Sequence, residues 1–248
     1  MSKSSTAILI PARMASERLL GKPLADLGGV PMIVEVMRRG EETGLGAVLV
    51  AAGELEIVCA VENAGGTAVL TDPDLPSGSD RIAAALEKTD PEGAIEYVIN
   101  LQGDLPTISP AAISACHKAL IESGADIATL VAEIDDDSEL ADPNVVKALV
   151  HFDTGTTIAL ADDFMRILPG DWQGGHYHHI GIYAYRRAAL ARFVALPQSA
   201  REKARKLEQM RALDNGMKIA VSLVDTIPFG VDTPADLERA RQVLAQRN

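Results

Sequence analysis

The chain has 248 residues, enough for one large α/β domain or a domain with a sub-domain, and 47% of it is hydrophobic, enough for a substantial core. A formal net charge of −12 excludes general nucleic-acid binding and docking on anionic lipid, so an anionic substrate has to be drawn in by a local basic cluster. The two cysteines, Cys59 and Cys116, lie in apolar, helix-like stretches and read as buried thiols of a reducing compartment. No apolar run approaches membrane-spanning length or a signal-peptide core, and a soluble cytoplasmic protein is the expectation.

The first half alternates strands and helices. Ala7–Ile10 reads as a buried strand. Val30–Gly44 has helical spacing (Met32, Ile33, Val36, Met37) with a stop at Gly44. Val48–Ala52 is the next strand, Glu54–Ala64 a helix ended by Gly65 and Gly66, and Thr67–Thr71 a short strand. A loop follows from Asp72 to Gly78, then the helix Ser79–Thr89 and the strand Tyr97–Leu101. Ser109 and Pro110 open another helix as N-cap and first turn. Strands joined by helices predict a mostly parallel sheet with right-handed crossovers.

The second half changes character. Asp126–Glu133, Val145–Phe152 and Ile180–Arg187 read as strands with few helices between them, which predicts an antiparallel sub-domain. The segment from Gly170 to Gly175 reads as a loop. Arg201–Asn215 reads as one helix ending at Gly216, Ile219–Val224 as a last strand, and Thr233-Pro-Ala-Asp236 as a capping-box start of the final helix. The organisation expected is a single domain over residues 1–248. Within it, residues 1–124 form the mostly parallel α/β half and 125–200 an antiparallel sub-domain. Residues 201–248 supply returning helices and a strand.

Several groups of residues carry chemistry. The strand Ala7–Ile10 runs into a loop holding Arg13, Arg18 and Lys22 against the single Glu17. A cationic loop at the carboxyl end of a first strand is where an α/β protein holds phosphates. A solvated basic loop is the plain alternative, and the Walker pattern is absent. Asp104 in Gln102-Gly-Asp104 follows the central strand and suits a hard cation beside phosphates, or serves as a turn residue. Asp232 precedes a helix N-terminus, where a carboxylate is favoured for structural reasons alone. With Asp104 it makes a metal pair if the fold unites them. Ser77-Gly-Ser-Asp-Arg81 suits a nucleoside, and suits a helix cap better. On a strand, His179 and Tyr183 share one face while His178 faces the other way. That face either holds a hydroxyl-rich ligand or is simply polar. Glu208 and Gln209 sit off the apolar side of their helix, as solvated residues do.

Taken together, Pro11-Ala-Arg-Met-Ala-Ser-Glu-Arg-Leu-Leu-Gly-Lys-Pro23, Ser77-Gly-Ser-Asp-Arg81, Asn100-Leu-Gln-Gly-Asp104, Asp142-Pro-Asn-Val-Val-Lys147, His179-Ile-Gly-Ile-Tyr183, Leu207-Glu-Gln209 and Gly230-Val-Asp-Thr-Pro-Ala-Asp-Leu-Glu238 make the chain resemble, almost end to end, the 3-deoxy-D-manno-octulosonate (Kdo) cytidylyltransferases. The resemblance implies a glycosyltransferase-A-like α/β nucleotidyltransferase fold, usually dimeric, with residues 1–124 as the nucleotide-binding half and 125–200 as the sub-domain with sugar-binding and dimer contacts. It implies transfer of CMP from CTP to Kdo for lipopolysaccharide assembly, with Mg²⁺ as cofactor. By position, Arg13, Ser16 and Lys22 would sit on the CTP phosphates, Ser77, Arg81 and Gln102 would lie near cytidine, and Ala12 and Arg18 would belong to the same CTP site. Asp104 and Asp232 would ligate Mg²⁺. Arg166, His179, Tyr183, Glu208 and Gln209 would hold Kdo, with Arg166 on its carboxylate. Arg13, Lys22, Asp104 and Asp232 are the implied catalytic set.

The sequence departs from the family pattern at Leu20 (for proline), Ala52-Gly53 (for Thr-Asp), Leu75 (for histidine), Leu105 (for glutamate), His178 (for arginine) and Arg205 (for glutamate). A related acidic sugar, 8-amino-Kdo or a nonulosonate, is the alternative acceptor. A non-catalytic nucleotide-binding module is the alternative of another class.

Overall fold

The computed structural model describes residues 5–16, 18–168 and 175–246. The chain forms two compact units: one runs to Ser114 and is rejoined from Pro228, the other is Ala115–Ile227. The expected segment of returning helices and a strand, 201–248, is divided between them: residues 201–227 belong with the second unit and those from Pro228 with the first.

In the first unit, β1 (Thr6–Ala12) lies between β2 (Ala47–Ala52) and β4 (Tyr97–Asn100), with β3 (Ala68–Leu70) outside β2. All three pairings are parallel. Ala7–Ile10 have no exposed surface, which is why β1 reads as an unbroken apolar run rather than an alternating one. The helices are α1 (Met32–Glu41), α2 (Leu55–Asn63) and α3 (Gly78–Thr89), then α9 (Pro234–Ala245) at the end of the chain. Ser77 caps α3 by accepting from the Asp80 amide, and Thr233 with Asp236 forms a capping box on α9. The Cys59 reading is corrected: Ile57 and Val61 turn inward one helical turn apart, and Cys59, between them on α2, is exposed.

The boundary between the units falls within α4 (Pro110–Ser123), started by Ser109 as expected. In the second unit, β5 (Ile127–Ala132) pairs antiparallel with β8 (Gly175–Arg186) and parallel with β9 (Ile219–Leu223). β7 (Ile158–Met165) is antiparallel to β9 and to β6 (Lys147–Val150). β6 also pairs with the first residues of β8, so the round of pairings closes on itself. β7 corrects the sequence reading, as do the short helix α5 (Asp137–Ala141) and α6 (Arg187–Ala195), which follows β8 directly. The expected helix Arg201–Asn215 is two, α7 (Ala200–Arg205) and α8 (Met210–Asp214), because Lys206 adopts a left-handed conformation at φ 54°. The expected Gly170–Gly175 loop lies outside the described residues up to 174, and Gly175 itself begins β8.

Two buried cations fasten this unit. Lys147, with no exposed surface, donates from Nζ to the carbonyls of Asp142 (2.6 Å) and Arg166 (2.8 Å). Arg211 donates to both carboxylate oxygens of Glu202, at 2.9 and 2.6 Å. Glu202 is also half of the Ser199 capping box that starts α7.

Candidate active site

The basic loop leaves β1 at the carboxyl edge of the first unit's sheet. Gly21, at φ 63°, bends it into a short 3₁₀ turn, Lys22–Leu24, and so aims Lys22 back at the sheet. The turn after β4 comes close for a similar reason. A side chain at Gly103 would press on the Pro11 carbonyl at 3.0 Å, and glycine lets Gln102–Asp104 lie against the end of β1 without that crowding. Asp232 arrives from the other end of the chain. The Val231 amide donates to the Asp104 carbonyl (2.9 Å), and Val231 is buried with Leu27, Met32, Leu237 and Ala240.

These anchors bring three predicted residues together. Lys22 Nζ donates to Asp104 Oδ2 at 2.7 Å and to Asp232 Oδ1 at 3.0 Å. Arg18 reaches the second oxygen of Asp232 at 2.9 Å. Burial pulls the Lys22 pKa down, and the charges and hydrogen bonds of Asp104 and Asp232 more than offset it. The ammonium is therefore held firmly charged. Beside it opens a cleft of about 330 Å³ whose walls include Ala12, Arg13, Ser16, Ser77, Arg81 and Gln102. Arg18 is exposed and Leu75 lines the cleft.

Three of these residues also have structural work. Ser77 serves its helix cap. Gln102 donates to the Asn100 side chain at 3.0 Å. Arg81 is 2% exposed, and its guanidinium donates to the Thr71 hydroxyl and to the carbonyls of Asp72 and Pro73, so it shapes the loop over the cleft. Gly53 makes room for it: a Cβ there would meet Arg81 Nη1 at 3.0 Å and Arg13 Cβ at 3.4 Å. The next residue, Glu54, accepts from the Met14 amide at 2.9 Å and ties down the start of the basic loop. Sequence reasoning missed Glu54, although its place beside the departure at Gly53 marked it.

The second unit gathers the other set. The rings of His179 and Tyr183 are 5.7 Å apart, and Phe164 meets His179 edge-on at 5.1 Å. Burial pushes His179 down to about 3, with His178 adding to the shift, so the ring is neutral. Burial also raises Tyr183 well above its usual value, as do the neighbouring Tyr185, Glu208 and Cys116. Gln209 corrects the solvated reading. It is 6% exposed, at the N-cap of α8, and its Nε2 has no hydrogen-bond partner among the described residues. An orphaned buried amide costs about 1–3 kcal/mol, which a ligand oxygen would relieve.

Arg166 stands differently. It donates to the carbonyls of Pro143, Arg205 and, more distantly, Lys206, and with Arg205 it lines a cavity of about 430 Å³. His178 pairs with Glu139 at 3.0 Å, and Arg205 with Asp163 at 2.8 Å.

The sequence model of the cytidylyltransferase family matches residues 7–219. A 3-deoxy-manno-octulosonate cytidylyltransferase of Parvibaculum lavamentivorans is 58% identical over 241 residues, covering 97% of this chain and 93% of that one. One from Paramagnetospirillum magneticum is 54% identical over 244 residues, covering 98% and 99%. The solved structure of a CMP:2-keto-3-deoxy-manno-octonic acid synthetase complexed with CTP superposes with a TM-score of 0.88 at 37% identity, covering 98% of this chain and 99% of that one. The α/β nucleotidyltransferase fold is shared, and the chain belongs to the 3-deoxy-manno-octulosonate cytidylyltransferase family.

Proposed function

We propose that this chain transfers CMP from CTP to the anomeric C2 hydroxyl of Kdo, for lipopolysaccharide assembly. The hydroxyl oxygen forms a bond to the α-phosphorus, the bond from that phosphorus to the β-phosphate oxygen breaks, pyrophosphate leaves, and the hydroxyl proton passes to solvent. The observation that carries the reading is the meeting of Lys22, Asp104 and Asp232 beside a cationic cleft at the carboxyl end of β1. The relatives' names and the CTP complex of a structural neighbour support it.

The pair Asp104 and Asp232 fits Mg²⁺ by its chemistry. Both are hard oxygen donors, and one compact cation, the Lys22 ammonium, already reaches both at hydrogen-bond distance. Among the described residues no cluster of three or more ligating side chains occurs. That suits a cation that takes the rest of its shell from substrate phosphates and water. Bound there, Mg²⁺ would offset charge on the α-phosphate and acidify the attacking hydroxyl. Arg13, Ser16, Arg18 and Lys22 would hold the triphosphate and offset charge on the leaving pyrophosphate. Ala12, Ser77, Arg81 and Gln102 would bound the nucleoside. His179, Tyr183, Glu208 and Gln209 would hold the sugar's hydroxyls. Arg166, freed from its carbonyls, would take the sugar carboxylate bidentately.

Among the described residues no helix is long and apolar enough to cross a membrane. By family resemblance we expect a cytoplasmic enzyme and a homodimer. Pyrophosphate release is the test. It should require CTP, Kdo and Mg²⁺ together and be lost in Asp104→Asn. Release with a nonulosonate in place of Kdo, or from UTP in place of CTP, would overturn the assignment.

A further inference from the structure

Thr129 takes no part in the reading above, yet it is wholly buried beneath the candidate sugar face. It sits where the register of β5 against β8 breaks: Thr129 pairs with Tyr183, and its neighbour Leu130 pairs with Ile180. Gly181 and Ile182 are thus extra residues on β8, and a bulge of this kind leaves carbonyls without ladder partners. The Thr129 hydroxyl answers them. Its oxygen lies 2.7 Å from the Ile182 carbonyl and 3.0 Å from the Ile180 carbonyl. It also lies 3.1 Å from His179 Nε2.

A hydroxyl has one proton and two lone pairs. Two carbonyl oxygens at these distances accept only, so the threonine proton points toward them. Were it given to His179 instead, three oxygens would face one another with no hydrogen between them. The hydroxyl can then meet His179 only through a lone pair, and Nε2 must carry a proton. Because the ring is neutral, Nδ1 is bare.

We infer that Thr129 is a positioning residue that holds His179 as the Nε2–H tautomer, so that Nδ1 offers the sugar a hydrogen-bond acceptor. The inference rests on the placement of the sugar at His179 proposed above. It adds a division of labour: His179 reads a sugar hydroxyl, which can donate, and not the sugar's carboxylate, which cannot. An acceptor of hydroxyl protons also discriminates against a sugar lacking that hydroxyl, because the nitrogen, covered from water by the bound sugar, is then left unpaired.

The test begins on the free protein. Long-range ¹⁵N–¹H spectra of ¹⁵N-histidine-labelled protein report the tautomer directly, with His179→Gln assigning the signal. At neutral pH the wild type should show His179 protonated at Nε2 only. Thr129→Ser should keep that state. Thr129→Val, which keeps the shape and loses the oxygen, should mix the two tautomers. It should also raise the KM for Kdo about tenfold, with a smaller fall in kcat. A proton on Nδ1 in the wild type overturns the inference without any variant having to fold, as does an unchanged tautomer in Thr129→Val. A mixed tautomer with an unchanged KM for Kdo overturns instead the placement of the sugar at His179. CTP-dependent pyrophosphate release is read separately and survives either result.

Discussion

Replacing Lys22 by methionine separates the ion pairing that the structure shows from the triphosphate contact proposed for the same ammonium. In the free protein Lys22 stands between Asp104 and Asp232, at 2.7 and 3.0 Å. Unit charges about 3 Å apart interact by roughly 5–6 kcal/mol at an effective dielectric of about 20. The side chains of Asp104 and Asp232 are 31% and 40% exposed, so solvent screens much of that. A net contribution of about 1.5–3 kcal/mol for the whole bridge is the scale of a charged hydrogen bond. A divalent cation arriving without nucleotide must displace the ammonium and forgo that amount. In Lys22→Met the obstacle is gone, and two facing carboxylates want a cation. Mn²⁺ affinity in the absence of CTP should therefore rise roughly 10-fold, the low end of that range. Turnover should move the opposite way, with kcat/KM for CTP falling about 10²–10³-fold as the triphosphate loses its ammonium. Free Mn²⁺ measured by electron paramagnetic resonance during titration gives the first number, and pyrophosphate release the second. Weaker or unchanged Mn²⁺ binding in the variant would refute the view that Lys22 and the cation compete for one place.

Gly53→Ala would put a methyl group 3.0 Å from Arg81 Nη1. Overpacking of about 1–3 kcal/mol should push Arg81 off its carbonyls and raise the KM for CTP several-fold, read in the pyrophosphate assay; an unchanged KM would mean Arg81 is irrelevant to the cleft. Glu202→Gln breaks the buried pair with Arg211, worth about 3–5 kcal/mol, and should lower the melting temperature by roughly 6–20 °C. Burial raises the Glu202 pKa, but the hydrogen bonds and charge of Arg211 and the Ser199 hydrogen bond outweigh it, so the folded value lies below the unfolded value of about 4.3. Its stabilisation is thus present above about pH 4.3 and lost as pH falls through the folded value; the gap between wild-type and variant melting temperatures should close only under acid. Thiol titration of the native protein should find Cys59 alone, because Cys116 is buried and burial pushes its thiol well above its ordinary range. Two native thiols reacting would contradict the burial of Cys116 on α4.

Much of the first unit is legible in the sequence because its signals are local. The apolar run of β1, the glycine after α1, the serine before α3 and the capping box before α9 each act within a few residues. The second unit hides its elements. β7 carries Asp162 and Asp163 side by side, which spoils the alternation of a strand. The carboxylates are explained by partners on other elements: His151, just past β6, for Asp162, and the more distant Arg201 and Arg205 for Asp163. α6 starts directly from β8 without a side-chain cap, and the break between α7 and α8 falls on a lysine where glycine is the usual signal. The site shows the same division. Residue types were readable; their meeting was not, since Lys22 lies 82 residues from Asp104 and 210 from Asp232. Thr129 left no trace, because its importance comes from a bulge on another strand.

The departures from the family pattern follow a physical rule. Where an arginine is replaced by His178, Glu139 stands 3.0 Å away and gives the imidazole an acceptor. Where a glutamate is replaced by Arg205, Asp163 and the Phe164 carbonyl receive the guanidinium, each at 2.8 Å. Where an aspartate is replaced by Gly53, the vacated volume is filled by Arg81, and the carboxylate beside it, Glu54, anchors the basic loop. Leu105 is buried, so an apolar residue fits there where a glutamate would need a partner. The 87% exposure of Leu20 has no counterpart in the structure. Each explained change is thus matched by a neighbouring group that completes its hydrogen bonds, charge or packing. None of them alters Lys22, Asp104 or Asp232. Departures that rebuild their own surroundings and leave the central triad alone are what a change of sugar-side detail or loop packing produces. Loss of catalysis removes the reason to keep a partly buried ammonium between two carboxylates, since replacing such groups by apolar ones is often neutral or stabilising. The triad's survival amid so much local rebuilding therefore argues for an active nucleotidyltransferase over a retired nucleotide-binding module.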